Sequence, residues 1–320
     1  MTETFFATPA DAIAAVPALI GFTPTNSVVA YMLRHDINHG LAVRSTIRFD
    51  VTITAEQATA FPATCNLHAT DTPAAILIVI CGEAHDTHAR IVLDALRDAL
   101  REAGIHVLLR LHTRNVTDAG QWLNLDTAEC GPTYPYTDAI LTAHQVHNGE
   151  RISACRADIE AEFDPITPAP PVEIGEHCEL VASTSEEIAE ILSGHRHPSP
   201  TLPTRAGILI TAHPALRDAM LHLALEHASG AADLWTHIAR HLRGAPRAEA
   251  LAVAGVCFCL HGDTVRAGIA TDAALDEAEH THTPAPRLAA LMLAALQSGI
   301  GPSRIRDVVA NSAPQPRTDQ

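Results

Sequence analysis

Residues 74 to 111 constrain the fold more than any other part of the chain. Ala74 to Cys81 (AAILIVIC) is an unbroken apolar run, the pattern of a strand buried on both faces. Thr87 to Ala103 then repeats Ile91, Ala95, Leu96, Ala99, Leu100 and Ala103 at helical spacing. Arg90, Asp94, Arg97, Asp98 and Arg101 take the opposite side, and Gly104 stands where a helix stops. Ile105 to Leu111 is a second apolar strand. Strand, helix and strand in this order form a βαβ unit, so the two strands are expected to run parallel, with a layered sheet around them.

The flanking segments extend that sheet. Thr8-Pro9-Ala10-Asp11 carries a capping residue, a first-turn proline and an acid, which predicts a short helix to about Leu19. Ser27 to Arg34 and Leu41 to Phe49 read as hairpin partners. Thr54 to Gln57 is a capping box opening a weaker helix, and Gly120 to Leu125 reads as a return strand closed by a Cys130-Gly131-Pro132 turn. The first 164 residues are therefore expected to form an α/β domain with a mixed sheet of about five strands. Residues 165–174 lie in a proline-dense stretch (DPITPAPPVEI, from Asp164) that reads as a linker. From 175 to 310 the pattern is all helical, with segments at Ser185–Leu192, Pro214–Ala228, Ala231–Leu242, Pro246–Leu260, Asp263–Glu279, Pro284–Gln297 and Pro302–Ala310. Residues 311–320 read as a disordered tail.

Composition removes several chemistries. All 21 basic residues are Arg, so the lysine required by a P-loop, a pyridoxal enzyme, a Schiff-base aldolase or a protein kinase is missing. The formal net charge is -16, with acids in excess in both halves and no basic cluster, which argues against nucleic acid and anionic lipid as partners. The longest apolar run is too short to span a bilayer. The start Met1-Thr-Glu-Thr lacks a cationic leader, and seven scattered cysteines without a CxxC fit a reducing compartment, so a cytoplasmic location is expected.

Chemistry-bearing residues fall into three groups. Twenty histidines include the i,i+4 pair His237/His241, the i,i+3 pairs His85/His88 and His144/His147, and two HxH loops. HExxH is absent and no third ligand is indicated, so neither a metal nor another cofactor is assigned. Asp126 and Glu129 could act as paired carboxylates beside Cys130 as nucleophile, with a distant base such as His112. A simple hairpin turn explains the same residues. Glu83, His85 and Asp86 lie in the loop after the central strand, where α/β sheets bind ligands, but the single Gly82 there does not make a dinucleotide loop. Asp276-Glu277-Ala278-Glu279 reads as a solvated acidic helix end.

Three stretches resemble an actinobacterial family, domain of unknown function 4192. The first, Pro17-Ala-Leu-Ile-Gly21-Phe22-Thr-Pro24-Thr-Asn-Ser27-Val-Val, is similar to the family's P-x-L-x-G-F-x-P-x-[DE]-S-x-V block, with Asn26 in the acidic position. The second runs from Gln121-Trp122 to Cys130-Gly131-Pro132, where relatives tend to carry more cysteines. The third is the helical hairpin turning at Gly262-Asp263. That hairpin also resembles a single tetratricopeptide-type repeat, with Gly255, Phe258, Gly262, Asp263, Ala267, Ala274 and Leu275 at its spacings. The resemblance implies a fold, and an actinobacterial or actinophage source, but no activity. Together these readings favour a non-enzymatic interaction or adaptor protein with a protein partner. The alternative is a hydrolase with its site at the carboxyl ends of the parallel strands.

Overall fold

A computed structural model of the protein describes residues 4–36, 40–173 and 176–312. The chain divides into two compact units, Met1–Asp158 and Ile159–Gln320. The first contains helices α1 (Pro9–Ala14), α2 (Val16–Ile20), α3 (Ala55–Thr64), α4 (Glu83–Glu102) and α5 (Ile140–His147). Its strands are β1 (Ser27–Asp36), β2 (Gly40–Asp50), β3 (Ala74–Ile80), β4 (His106–Thr113), β5 (Gly120–Asn124) and β6 (Cys130–Thr133). Helix α6 (Arg156–Ala161) spans the division.

The six strands form one sheet in the order β2-β1-β3-β4-β5-β6. Only β3 and β4 pair in parallel, as the helix between them requires. β1 lies antiparallel to both β2 and β3. Alternation along the strands divides the core. Val28, Ala30, Met32, Ala75, Leu77 and Val79 pack with Phe61 of α3 and with Val92, Leu93 and Leu96 of α4. On the other face the buried Tyr31 donates its hydroxyl to the carbonyl of Ala12 in α1, at 2.8 Å. Both anticipated N-caps form. Thr8 and Asp11 exchange hydrogen bonds at the start of α1, and Thr54 and Gln57 do so at the start of α3.

Residues 130–132 are a correction to the expected turn. Cys130, Gly131 and Pro132 belong to a sixth strand, and Pro132 is tolerated because β6 lies at the sheet edge, where its missing N–H breaks no ladder. Trp122 sits directly opposite Gly131, and a methyl group there would come within 2.9 Å of the indole. The glycine therefore makes room for the tryptophan.

In the second unit run α7 (His177–Leu192), α8 (Leu202–Ala212), α9 (Pro214–Leu223), α10 (Ala228–Arg240), α11 (Gly244–His261), α12 (Thr264–His280), α13 (Arg287–Gln297) and α14 (Pro302–Asn311). Helix α11 is its axis. It is apolar nearly all round, and thirteen of its eighteen residues are buried among its neighbours. Two departures from the sequence reading follow from hydrogen bonding. The proline-dense stretch lies within this unit. Its Ile166 and Ala169 amides bond the carbonyls of Arg240 and His241 at the end of α10, which the helix itself leaves unsatisfied. Glu277 is not a solvated acid: it accepts from buried Arg247 at 2.9 Å and from the Gly244 amide at 2.6 Å. Of the expected tail, residues 313–320 lie outside the described residues.

Candidate functional site

Parallel pairing brings the ends of β3 and β4 to one edge of the sheet, beside the first turn of α4. Gly82 caps α4 without a side-chain hydrogen bond. Cys81, which follows β3, places its sulfur 3.8 Å from His112 Nε2 on β4. Asp86, in the first turn of α4, places Oδ1 3.7 Å from that same nitrogen, while its Oδ2 accepts from Arg90 Nε at 3.1 Å. Asp86 Oδ1 is buried and has no hydrogen-bond partner. The structure thus joins Asp86, from the candidate loop, to His112, from the other candidate group, and adds Cys81.

The chemistry of this trio is limited by its geometry. A nucleophile–base–acid relay needs the thiol on one imidazole nitrogen and the carboxylate on the other. Here both converge on Nε2. Burial, and then the nearby Asp86 carboxylate, pushes the Cys81 thiol above its ordinary range, which disfavours the reactive thiolate. Burial lowers the His112 pKa, outweighing the opposing pull of Asp86. The neutral imidazole is therefore the resting form. Glu83 pairs with Arg114 on the surface, and His85 is half-buried in the same turn.

Asp126, Glu129 and Cys130 are not assembled around His112. The guanidinium of Arg110, only 6% exposed, holds Asp126 through Nε at 3.0 and 3.1 Å and Nη2 at 2.6 Å, and also bonds Asp94 of α4. Those hydrogen bonds from Arg110 keep the Asp126 carboxyl below the usual range, so it is ionised and unsuited to donate a proton. Glu129 accepts from Thr127 Oγ1 at 3.1 Å, within the hairpin turn at Ala128 (φ +60°). Leu123 pairs with both His112 and Cys130, which puts the latter two strands apart, about 9–10 Å at the usual spacing.

The remaining motif residues serve the backbone. Gly21 ends α2 with φ +76°, where a side chain would be strained. Pro17 lies within α2, and Phe22 is buried and bridges Ser153. Past Pro24, Ser27 is fully buried, donating to the Thr25 carbonyl and accepting from Arg48 Nε at 2.9 Å. Gly262 stops α11 at φ +105°, and Asp263 caps α12 by accepting from the Arg266 amide. Gly255 marks the close approach of α11 and α12. His237 and His241 meet edge to face with ring centres 4.7 Å apart, and no group of three or more His, Cys, Asp or Glu side chains gathers as metal ligands among the described residues.

A mixed α/β sheet unit followed by an all-helical unit is the class of protein this geometry defines. The family model for a domain of unknown function (DUF4192) matches residues 9–206 and 176–303, and the chain belongs to that family. No curated protein and no solved structure matches it. Among the described residues no helix is long and apolar enough to cross a membrane.

Proposed function

We propose that the protein is a non-enzymatic interaction module that binds another protein, rather than nucleic acid or membrane, in the cytoplasm. One observation carries this reading. Helix α13 (RLAALMLAALQ) is as apolar as the central α11, yet of its eleven residues only Ala289 and Met292 are buried. Leu291 is 58% exposed, and Ala290 and Ala294 are exposed beside it. A helix apolar on every side normally lies inside a protein, so the uncovered side is suited to a partner. Val308 on α14 and Ile300 before it are further exposed apolar side chains among the C-terminal helices. Seven free thiols support the cytoplasmic placement.

The hydrolase reading is favoured by the meeting of Cys81, Asp86 and His112 at the strand ends. Against it stand the buried thiol and the shared imidazole nitrogen. Affinity capture from the source cells decides between the two, using the full chain and a Leu291→Asp variant. The interaction reading expects a partner that the parent chain retains and the variant loses, and that rebinds when purified. Equal capture by both chains, together with hydrolytic activity abolished by Cys81→Ala, would overturn it.

A further inference from the structure

The i,i+4 pair His237/His241 has no part in the interaction reading, yet its geometry is specific. One helical turn sets both side chains on the same face at the end of α10, with the rings 4.7 Å apart and inclined at 68°. His241 Nδ1 lies 2.6 Å from the Thr167 carbonyl oxygen. A carbonyl only accepts, so Nδ1 carries the proton, and in the neutral ring Nε2 keeps its lone pair. Metal-binding histidines are anchored in this way, one nitrogen donating to a carbonyl and the other left for the ion. Partial burial of the His237 ring, then His241 and Arg240, lower its pKa and favour the neutral form that a metal requires. Both residues retain exposure to solvent, which gives an ion access.

The geometry points to a site for one divalent transition-metal ion, of the Zn²⁺, Ni²⁺ or Cu²⁺ class, chelated by His237 and by Nε2 of His241. An ion about 2.0–2.1 Å from a ring nitrogen lies roughly 3.2 Å from the ring centre, so two rings 4.7 Å apart subtend about 95° at a shared ion. That angle falls between the square-planar and tetrahedral values. The imidazole χ2 torsion is broad, so turning the His237 ring from its edge-to-face contact onto the ion costs little. Ring nitrogens suit these ions, whereas Mg²⁺ and Ca²⁺ take oxygen ligands. The neighbouring cations Arg240 and Arg243 are turned onto the carbonyls of Asp164 and Ile166, and the net charge of -16 draws metal ions to the chain. No third His, Cys, Asp or Glu joins the pair among the described residues, so water or a donor from outside completes the coordination. This inference is independent of the interaction reading.

The test is isothermal titration of the full chain with Ni²⁺, its accessible thiols first alkylated so that sulfur does not compete. One tight equivalent is expected, and none with Mg²⁺. His237→Gln and His241→Gln should each weaken it by at least the roughly 10–100-fold that loss of an outer-shell partner costs. His177→Gln with His213→Gln removes another close pair of rings, 4.5 Å apart, and should leave the tight equivalent unchanged. Thermal melting in the presence of a chelator checks that each variant folds. A second measurement follows Zn²⁺ binding to the parent chain by long-range proton–nitrogen spectra of its imidazoles. His241 Nε2 should shift as a ligand while Nδ1 stays protonated.

No tight Ni²⁺ equivalent on the parent chain, or one retained by either single variant, would overturn the inference. A tight equivalent lost only with His177 and His213 would overturn it as well and move the ion to that pair. An unmoved His241 Nε2 in saturating Zn²⁺ would do the same. The spectra use the parent chain, so they decide the matter even where a variant melts early.

Discussion

Helices α11 and α12 approach closely at Gly255, and a methyl group added there measures how tightly the second unit is specified. A Cβ at position 255 would lie 2.7 Å from Thr271 Oγ1 and 3.2 Å from the Ala267 carbonyl. Thr271 cannot swing away freely, because it is fully buried and its hydroxyl bonds that same carbonyl at 2.7 Å. Overpacking of this kind costs about 1–3 kcal/mol, and about 2–3 kcal/mol where, as here, the obstructing atom is held in place. The gain in helix propensity from Gly to Ala returns about 0.8–1 kcal/mol. Gly255→Ala should therefore destabilise the unit by about 1–2 kcal/mol, against the direction that propensity alone would give. Thr271→Ala removes the obstructing atom, so the double variant should be more stable than the sum of the single changes by about 1 kcal/mol. Urea unfolding followed by tryptophan fluorescence in a Trp122→Phe background reads this unit alone, through the buried Trp235. A Gly255→Ala chain as stable as the parent would refute the packing argument.

Asp126→Asn removes the charged partner of a buried guanidinium; with Asp94 still in place the loss should be about 1–3 kcal/mol, measured by urea unfolding. A labelling time course at mildly alkaline pH should modify the exposed Cys130, Cys155 and Cys178 quickly, and buried Cys81, Cys257 and Cys259 only on unfolding, with burial lifting Cys257 to about 12 and Cys259 to about 11. His112 and His237 are held below the ordinary histidine value, chiefly by burial, so the unfolded chain binds more protons there. Their contribution to stability is complete above about pH 6.5 and declines as pH falls below it. Asp126 shifts the other way: its depressed carboxyl stabilises the fold above about pH 3.9, and the contribution is lost as pH falls through the folded value. Proton NMR of the His112 ring should show a midpoint below 6.5, and a higher one would contradict the burial argument.

What could be read in advance followed from periodicity. The run AAILIVIC and the helix after it define β3, α4 and β4, because a strand buried on both faces and an amphipathic helix leave strong, different patterns. Helix α8 gave no such signal: its stretch Gly207-Ile208-Leu209-Ile210-Thr211 has a strand-like composition, and tertiary packing on α11 overrides it. Strand β6 was hidden by Gly131 and Pro132, which suit a turn until Trp122 is known to lie opposite. The meeting of Cys81, Asp86 and His112 was only partly legible. A βαβ reading brings both strand ends to the first helical turn, but it does not give the register that sets Val79 beside His112. The Arg110–Asp126 pair leaves no trace in sequence, since nothing in their sixteen-residue separation marks them as partners. The same holds for the exposed side of α13, because an apolar helix looks alike in sequence whether its neighbours cover one side or all of it.

Hydrogen–deuterium exchange of the full chain, with and without its captured partner, addresses the interaction assignment most directly. Slowed exchange concentrated in residues 287–297 upon binding is the expected result. Protection confined instead to residues 81–90 and 112–114, at the ends of the parallel strands, would contradict it and move the functional surface to the sheet.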